Sequence, residues 1–359
     1  MATLPLPPGS TLGILGGGQL GRMLALAAAR LGFDVAVLER DADSPAGRVA
    51  AHTIVGAYDD PAALEQLAAV AQVVTFEFEN VPADSVLKLQ SLGVEVAPGP
   101  EALAVAQDRI AEKQFLNASG APTVAFSAAD TAEEAVAATA AMGAPVLMKT
   151  RREGYDGKGQ RWVEHAADAA AAFTELGGVP VILEAPADFV RELSIIAARG
   201  RDGATAVYPL AENHHEGGIL RRSLAPAQVS EDLAFQAEKI AARILKGLNY
   251  VGVVGIELFE LKDGTLLVNE IAPRVHNTGH WTQDGCAADQ FEQHIRAVAG
   301  WPLAPTVPHA RVEMLNLLGD EAEAWSKLAH EPDTRIHLYG KRDPKPGRKM
   351  GHVNKLKAL

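Results

Sequence analysis

An Asp-Gly pair between two apolar runs constrains this chain more than any other feature. Gly255-Ile-Glu-Leu-Phe-Glu-Leu261 and Leu266-Leu-Val-Asn-Glu-Ile271 read as strands, and Lys262-Asp-Gly-Thr265 joins them. Asp-Gly in that setting is the strongest short-range hairpin signal. With Asp263 and Gly264 as a two-residue loop, Lys262 pairs with Thr265, Leu261 with Leu266, Phe259 with Val268 and Glu257 with Glu270. Directly opposed side chains stand about 4.5–5.5 Å apart at Cβ, where two carboxylates repel. A divalent cation removes the repulsion, and two close carboxylates make a hard-oxygen site of the kind Mg²⁺ prefers. Two unrelated surface glutamates are the plainer alternative. The chain leaves this hairpin through Asn269-Glu-Ile-Ala-Pro-Arg-Val-His-Asn-Thr-Gly-His280, which carries Arg274, His276, Asn277 and His280. Carboxylates for a metal, followed at once by cationic and amide groups for an anion, point to phosphoryl or acyl-phosphate chemistry.

At 359 residues the chain exceeds one ordinary core, and two or three packed domains are expected. No charge-free apolar run reaches the length of about 18 residues that a membrane span needs, so a soluble globular protein is expected. Met1-Ala-Thr-Leu-Pro-Leu-Pro-Pro8 lacks the basic start and apolar run of a signal peptide. The one cysteine, Cys286, excludes an internal disulfide framework and fits the reducing cytoplasm. A formal charge of −12 argues against a nucleic-acid surface, which needs a basic patch, yet leaves a small anionic substrate open.

Residues 11–100 alternate strand and helix: Thr11–Leu15, a helix from Gln19 to Leu31, then strands at Phe33–Glu39 and Val70–Glu77. That alternation implies a parallel sheet covered on both faces. Pro98-Gly-Pro100 marks a boundary, beyond which an α+β region has strands at Pro145–Thr150, Pro180–Glu184 and Glu192–Arg199. The Ala-rich stretch Ala166–Ala172 reads as an ordinary helix. Pro302–Pro308 reads as a linker to a small final unit with the basic run Lys341-Arg-Asp-Pro-Lys-Pro-Gly-Arg-Lys349.

Two glycine loops follow strands. Gly16-Gly-Gly-Gln-Leu-Gly21 fits G-x-G-x-x-G at a strand-to-helix turn, with Glu39 ending the next strand. It can hold a dinucleotide, hold a mononucleotide phosphate at the helix N-terminus, or simply pack strand against helix. Lys149-Thr-Arg-Arg-Glu-Gly-Tyr-Asp-Gly-Lys-Gly-Gln160 lacks P-loop spacing. Its glycines suit a flap closing over a triphosphate, with a solvated hairpin tip as the alternative. Lys149 ends an apolar strand, so its buried ammonium needs an anionic partner. Glu184, at the end of Val181-Ile-Leu-Glu184, could present backbone groups to an adenine edge while Glu192 reaches a ribose; glutamates simply ending strands are as good a reading.

Together these segments resemble the ATP-grasp superfamily, and within it the ATP-dependent carboxylases of purine biosynthesis. The resemblance runs from about Thr11 to about Asn354 and is carried by five segments. These are Gly18-Gln-Leu-Gly-Arg-Met23, Thr75-Phe-Glu-Phe-Glu-Asn80, Gly154-Tyr-Asp-Gly-Lys-Gly-Gln160, Asn269 through Gln283, and Pro346-Gly-Arg-Lys-Met-Gly-His352. The third and fourth of these, the Gly-Tyr-Asp-Gly-Lys-Gly-Gln loop and Asn269–Gln283, are the specific ones. The resemblance implies α/β and α+β architecture: an ATP-grasp fold with an N-terminal Rossmann-like parallel-sheet domain (1–105) and a small C-terminal domain (301–359). The ATP-grasp domain itself would span 106–300, with a mobile glycine-loop subdomain at about 122–188.

It further implies a cytoplasmic homodimer using ATP and Mg²⁺, with aminoimidazole ribonucleotide and bicarbonate as substrates. By matching positions, Arg109, Lys149, Gly154, Tyr155, Asp156, Gly157, Lys158, Gly159 and Gln160 would hold ATP. Glu184, Ala185, Pro186, Ala187, Glu192, His215, Asn269 and Glu270 would complete that set. Glu257 and Glu270 would bind the metal. Gln19, Leu20, Glu77, Tyr155, Asp156, Arg274, His276, Lys341 and Arg348 would surround the ribonucleotide and the carboxylating species, with Arg274, His276 and Asn277 catalytic. Arg274 suits a planar carboxylate bidentately. Lys341 and Arg348 would reach the 5′-phosphate; read without the resemblance, that run is a solvated basic tail. An ordinary structural role is the alternative for His276, and a zinc site from His276 and His280 lacks a third ligand at suitable spacing. Rival activities are a sister ligase using formate or another small acid, an NAD-dependent oxidoreductase and a non-catalytic nucleotide sensor.

Overall fold

The computed structural model describes residues 3–154 and 157–359; Tyr155 and Asp156 lie outside the described residues. Residues 11–96 give β1 (Thr11–Leu15), α1 (Gln19–Arg30), β2 (Asp34–Glu39), β3 (His52–Val55), α2 (Pro61–Val70), β4 (Val73–Phe76), α3 (Ala83–Ser91) and β5 (Glu95–Val96). The five strands form a parallel sheet in the order β3-β2-β1-β4-β5. Its inner strands β1 and β4 are buried on both faces, as parallel strands between helical layers must be. Leu64 and Leu67 of α2 and Val86 and Leu89 of α3 join one core, whereas Leu20, Met23 and Leu24 of α1 join the other.

Two helices lead into the central region: α4 (Pro100–Ala106) and α5 (Arg109–Ala118). Asp108 caps α5 by accepting from the Ile110 and Ala111 amides at 3.0 and 3.3 Å. Next come β6 (Phe126–Ala129), α6 (Ala132–Met142), β7 (Val146–Thr150), β8 (Gln160–Val163), α7 (Ala169–Glu175) and β9 (Val181–Glu184). These strands form a separate antiparallel sheet, β6-β9-β7-β8, covered by α6 and α7. The helix expected over Ala166–Ala172 is a single tight turn at Ala166–Asp168 running into α7.

A third sheet organises the rest. Its members are β10 (Phe189–Arg199), β11 (Thr205–Val207), β12 (Ala211–Glu216), β13 (Ile219–Ala225), β14 (Gly252–Leu261), β15 (Leu266–Ala272), β16 (Arg311–Leu318), β17 (Thr334–Leu338) and β18 (Lys349–Lys357). The order is β15-β14-β10-β12-β13-β16-β18-β17, with β11 on β10. Helix α8 (Glu231–Gly247) covers one face through Leu233, Ile240 and Ile244, which meet Leu193, Ile195, Val254 and Ile256. A short α9 (Thr282–Gly285) and then α10 (Gln290–Ala299) fill the other face at one end, where Phe291 and Ile295 join the α1 core. The proline-rich stretch is held in place, with the Ala304 amide on Gln293 and the Thr306 hydroxyl on the Val207 carbonyl. The C-terminal strands extend the same sheet, since β16 pairs with β13.

The hairpin differs from its expected register in an instructive way. The loop has three residues, because the Leu261 amide donates to the Thr265 carbonyl at 2.9 Å. Gly264 stands at φ +79°, the left-handed residue that such three-residue loops require. The pairs are therefore Glu260 with Leu266, Phe259 with Leu267 and Leu258 with Val268, one step away from the expected Leu261–Leu266 and Phe259–Val268. A bulge between Glu257 and Leu258 then takes up one extra residue, Asn269, and Glu257 falls opposite Glu270 after all.

Candidate active site

Four strands present a polar row on the sheet face opposite α8. Glu270 of β15 opposes Glu257 of β14, and Glu257 opposes Ser194 of β10. Glu192, two residues before Ser194, opposes Asn213 of β12. Strand alternation puts these side chains on one face. His215 follows in the same row and its Nδ1 contacts a Glu192 carboxylate oxygen. Burial works against a charged His215, but the Glu192 contact and the nearby Glu257 outweigh it and raise its pKa.

Burial and the adjacent Glu270 push the Glu257 carboxyl up to about 7. Burial also acts on Glu270, but Arg109 and Lys149 prevail and hold that carboxyl at about 2. Arg109 Nη1 donates to Glu270 Oε2 at 3.0 Å, and Arg109 Nη2 donates to the Gly154 carbonyl at 3.0 Å. One side chain thus joins the carboxylate pair to the glycine loop. Lys149 finds the anionic partner its burial demands: its Nζ is 2.6 Å from Glu184 Oε2, and Lys113 Nζ is 3.3 Å from Glu184 Oε1. Ala185 to Ala187 form a bare strip after β9, with the Ala185 amide on the Ala125 carbonyl.

The segment after β15 is tied down on all sides. Arg274 grips Glu79 with Nε at 2.5 Å and Nη2 at 3.0 Å, and Nη1 donates to the Val275 carbonyl at 3.1 Å. The side-on fork expected to hold a carboxylate substrate is therefore taken by Glu79, and one N–H remains on each terminal nitrogen. His276 donates its backbone amide to Gln290 Oε1 at 2.8 Å, pairs Nδ1 with the Thr278 hydroxyl at 2.9 Å and brings Nε2 to 3.7 Å from Glu257 Oε1. Burial and then the Arg274 charge lower its pKa to about 3, so the ring is neutral at physiological pH. Asn277 exchanges two amide hydrogen bonds with Asn316 of β16, at 3.0 and 2.7 Å.

The first glycine loop takes an unexpected form. The Gly18 and Gly21 amides donate to Glu77, and the Gly17 amide donates to Glu39 Oε2 at 2.7 Å. Acidic side chains of the protein occupy the donors that a pyrophosphate would use in a dinucleotide fold, which counts against the oxidoreductase reading. Gln19 and Leu20 open α1 beside this cluster, Leu20 being buried. Burial raises the Glu77 pKa, and Arg274 counteracts it, so the loop borders the same site.

The basic run closes the far side. Lys341 Nζ donates to the Lys349 carbonyl at 2.8 Å, and Arg348 Nη1 donates to the Arg342 and Asp343 carbonyls. The Lys349 charge acts on both His215 and His276.

Sequence reasoning left out Lys113, Glu112, Glu79, Gln290 and Lys349. Glu112 and Lys113 sit three and four residues after Arg109, a spacing that shares one helix face and would have revealed them. Glu79 and Lys349 lie inside quoted motifs without a role. Gln290 and Asn316 carry no local signal.

Among the described residues, no group of three His, Cys, Asp or Glu side chains forms a metal cage. Two carboxylates fit Mg²⁺ nonetheless, because that ion is commonly held by one or two carboxylates with phosphate oxygens and water. The raised carboxyl of Glu257 beside Glu270 is a charge conflict that a cation relieves.

A glycine flap beside a strand-end lysine–glutamate pair and a carboxylate hairpin define a nucleotide-using ligase of the ATP-grasp class. Family models agree: a ribonucleotide synthetase preATP-grasp domain matches residues 10–107 and an ATP-grasp domain matches 114–291. A phosphoribosylaminoimidazole carboxylase C-terminal domain matches 313–358. The chain is 51% identical to the N5-carboxyaminoimidazole ribonucleotide synthase of Brucella melitensis over 354 residues, 98% of each chain. It is 46% identical to that of Pseudomonas aeruginosa, covering 95% of this chain and 93% of the relative. An ADP complex of an N5-carboxyaminoimidazole ribonucleotide synthetase superposes with TM-score 0.94 at 40% identity, covering 98% and 93% of the two chains. The Aspergillus clavatus enzyme in complex with ADP and 5-aminoimidazole ribonucleotide superposes with TM-score 0.91 at 32% identity, covering 98% and 94%. The chain belongs to the N5-carboxyaminoimidazole ribonucleotide synthase family. No helix among the described residues is long and apolar enough to cross a membrane.

Proposed function

We propose that the chain carboxylates 5-aminoimidazole ribonucleotide with bicarbonate and ATP, yielding N5-carboxyaminoimidazole ribonucleotide, ADP and phosphate in purine biosynthesis. A bicarbonate oxygen attacks the γ-phosphorus of ATP, the bond to ADP breaks, and carboxyphosphate forms. The ribonucleotide's exocyclic amine nitrogen then bonds to the carboxyl carbon, as carboxyphosphate or as CO₂ released from it; the bond from that carbon to the phosphate oxygen breaks, phosphate departs and the amine gives up one proton. Lys149, Glu184, the strip Ala185–Ala187, Glu192 and His215 hold the nucleotide, while Gly154, Gly157 and Gly159 of the second glycine loop bring backbone amides to its phosphates. Mg²⁺, when bound by Glu257 and Glu270, offsets charge on the phosphate oxygens. Arg274, oriented by Glu79, offers its two remaining N–H groups to bicarbonate and its phosphorylated form. His276, neutral, donates or accepts one hydrogen bond at Nε2. Asn277 holds that loop against β16, and Lys341 and Arg348 face the 5′-phosphate. The enzyme works in the cytoplasm as a homodimer.

The Glu257–Glu270 pairing beside Arg109 and Lys149 carries this reading. ADP release measured with each small substrate omitted in turn tests it. Full turnover requires Mg²⁺, bicarbonate and aminoimidazole ribonucleotide together. Turnover with formate and indifference to bicarbonate would instead indicate the sister-ligase activity.

A further inference from the structure

Strand β15 carries a metal-type carboxylate yet lies at the edge of its sheet, paired among the described residues only with β14. An edge strand has outward amides and carbonyls without a ladder partner, and such a strand holds position poorly unless something satisfies them. Here the outward groups are met one by one. The Val268 amide donates to the Pro122 carbonyl at 2.7 Å, and the Asn269 carbonyl accepts from Lys113 Nζ at 2.7 Å. The Ile271 amide donates to Glu112 Oε1 at 2.7 Å, and Arg109 holds the Glu270 side chain between them. Three of these partners, Arg109, Glu112 and Lys113, lie on one face of α5, whose start is fixed by the Asp108 cap. Glu112 is 2% exposed, so it sits inside the protein.

We infer that Glu112 is a positioning residue: by accepting the Ile271 amide it locks the bulged edge strand to α5 and so fixes where Glu270 presents its carboxylate. The inference rests on the proposed metal role of Glu270. Its logic is that of any partner behind a metal ligand, whose loss typically weakens metal affinity or activity about 10–100-fold. The backbone contact needs an acceptor and no charge, so glutamine replaces Glu112 and leucine does not.

The test is the half-saturating Mg²⁺ concentration for ADP release at saturating ATP, with kcat measured alongside. Glu112→Leu raises the Mg²⁺ requirement about 10–100-fold while Glu112→Gln stays within about threefold of the native protein. A Glu112→Leu protein with native Mg²⁺ dependence, compared with an inactive Glu270→Gln, overturns the positioning role and leaves the metal role standing. Equal damage from leucine and glutamine also overturns it. A Glu270→Gln protein with native Mg²⁺ response removes the metal role itself. Amide hydrogen exchange on the native protein needs no variant: the Ile271 amide exchanges as slowly as the ladder-bonded amides of β14. Exchange at the rate of an open edge amide overturns the inference.

Discussion

Replacing Glu184 by glutamine removes a carboxylate shared by two buried ammonium groups. Its side chain is 5% exposed, Lys113 is 1% exposed and Lys149 is 11% exposed, so little water is available to take over. Burial raises the Glu184 pKa, yet Lys149 and Lys113 outweigh that and hold it below the usual carboxylate range. Breaking a buried pair by deleting one partner costs about 3–5 kcal/mol, because a charge is left uncompensated. Unfolding entropy is about 2 cal/mol/K per residue, so over a chain of 359 residues unfolding as one unit the midpoint falls by about 4–7 °C. Scanning calorimetry of Glu184→Gln at pH 7 reads this directly. The pH sign is fixed as well: a carboxyl with a depressed folded pKa stabilises above its unfolded value of about 4.3. That contribution disappears as pH falls through the folded value, so native and variant midpoints converge in acid. A midpoint unchanged within about 1 °C at pH 7 would refute the claim that this carboxylate compensates both lysines.

Three further outcomes follow from the same contacts. A Cβ on Gly255 would lie 2.5 Å from His276 Cβ and 2.8 Å from its Cγ, so Gly255→Ala displaces His276 from Glu257 and destabilises by about 1–3 kcal/mol. Denaturant unfolding and turnover both fall, and a native-like variant contradicts the close packing. Arg274→Ala lowers bicarbonate-dependent ADP release about 10²–10³-fold, the usual effect of losing one preorganised donor, and an unchanged rate removes Arg274 from the site. Because burial and Glu270 raise Glu257 to about 7, protons compete with the cation there: Mn²⁺ binding without nucleotide, followed by electron paramagnetic resonance, weakens as pH drops from about 8 to about 6. A flat response contradicts the assignment of Glu257.

The layered plan was legible because strand and helix periods, proline boundaries and glycine turns are all local signals. The same holds for Lys149, whose place at the end of an apolar strand announced a buried charge, and Glu184 answers it. The hairpin shows how a correct pairing can rest on two errors. The Asp-Gly signal suggested a two-residue loop, whereas the left-handed Gly264 closes a three-residue one, and the bulge at Asn269 restores the pairing. A bulge answers to what lies beyond the strand, here Lys113 and Glu112 on α5, and nothing within the hairpin's own residues reports it. Glu77 filling the first glycine loop was hidden for the same reason, since the donor amides stand 56 and 59 residues away in the chain. The grip of Glu79 on Arg274 spans 195 residues and is equally invisible to local patterns.

A crystal structure with Mg²⁺ and a non-hydrolysable ATP analogue tests the central claim most directly. The expected result is a metal within about 2.0–2.1 Å of a carboxylate oxygen from each of Glu257 and Glu270 and in contact with the phosphates. A metal bound elsewhere, with either carboxylate turned away from the phosphates, would contradict it.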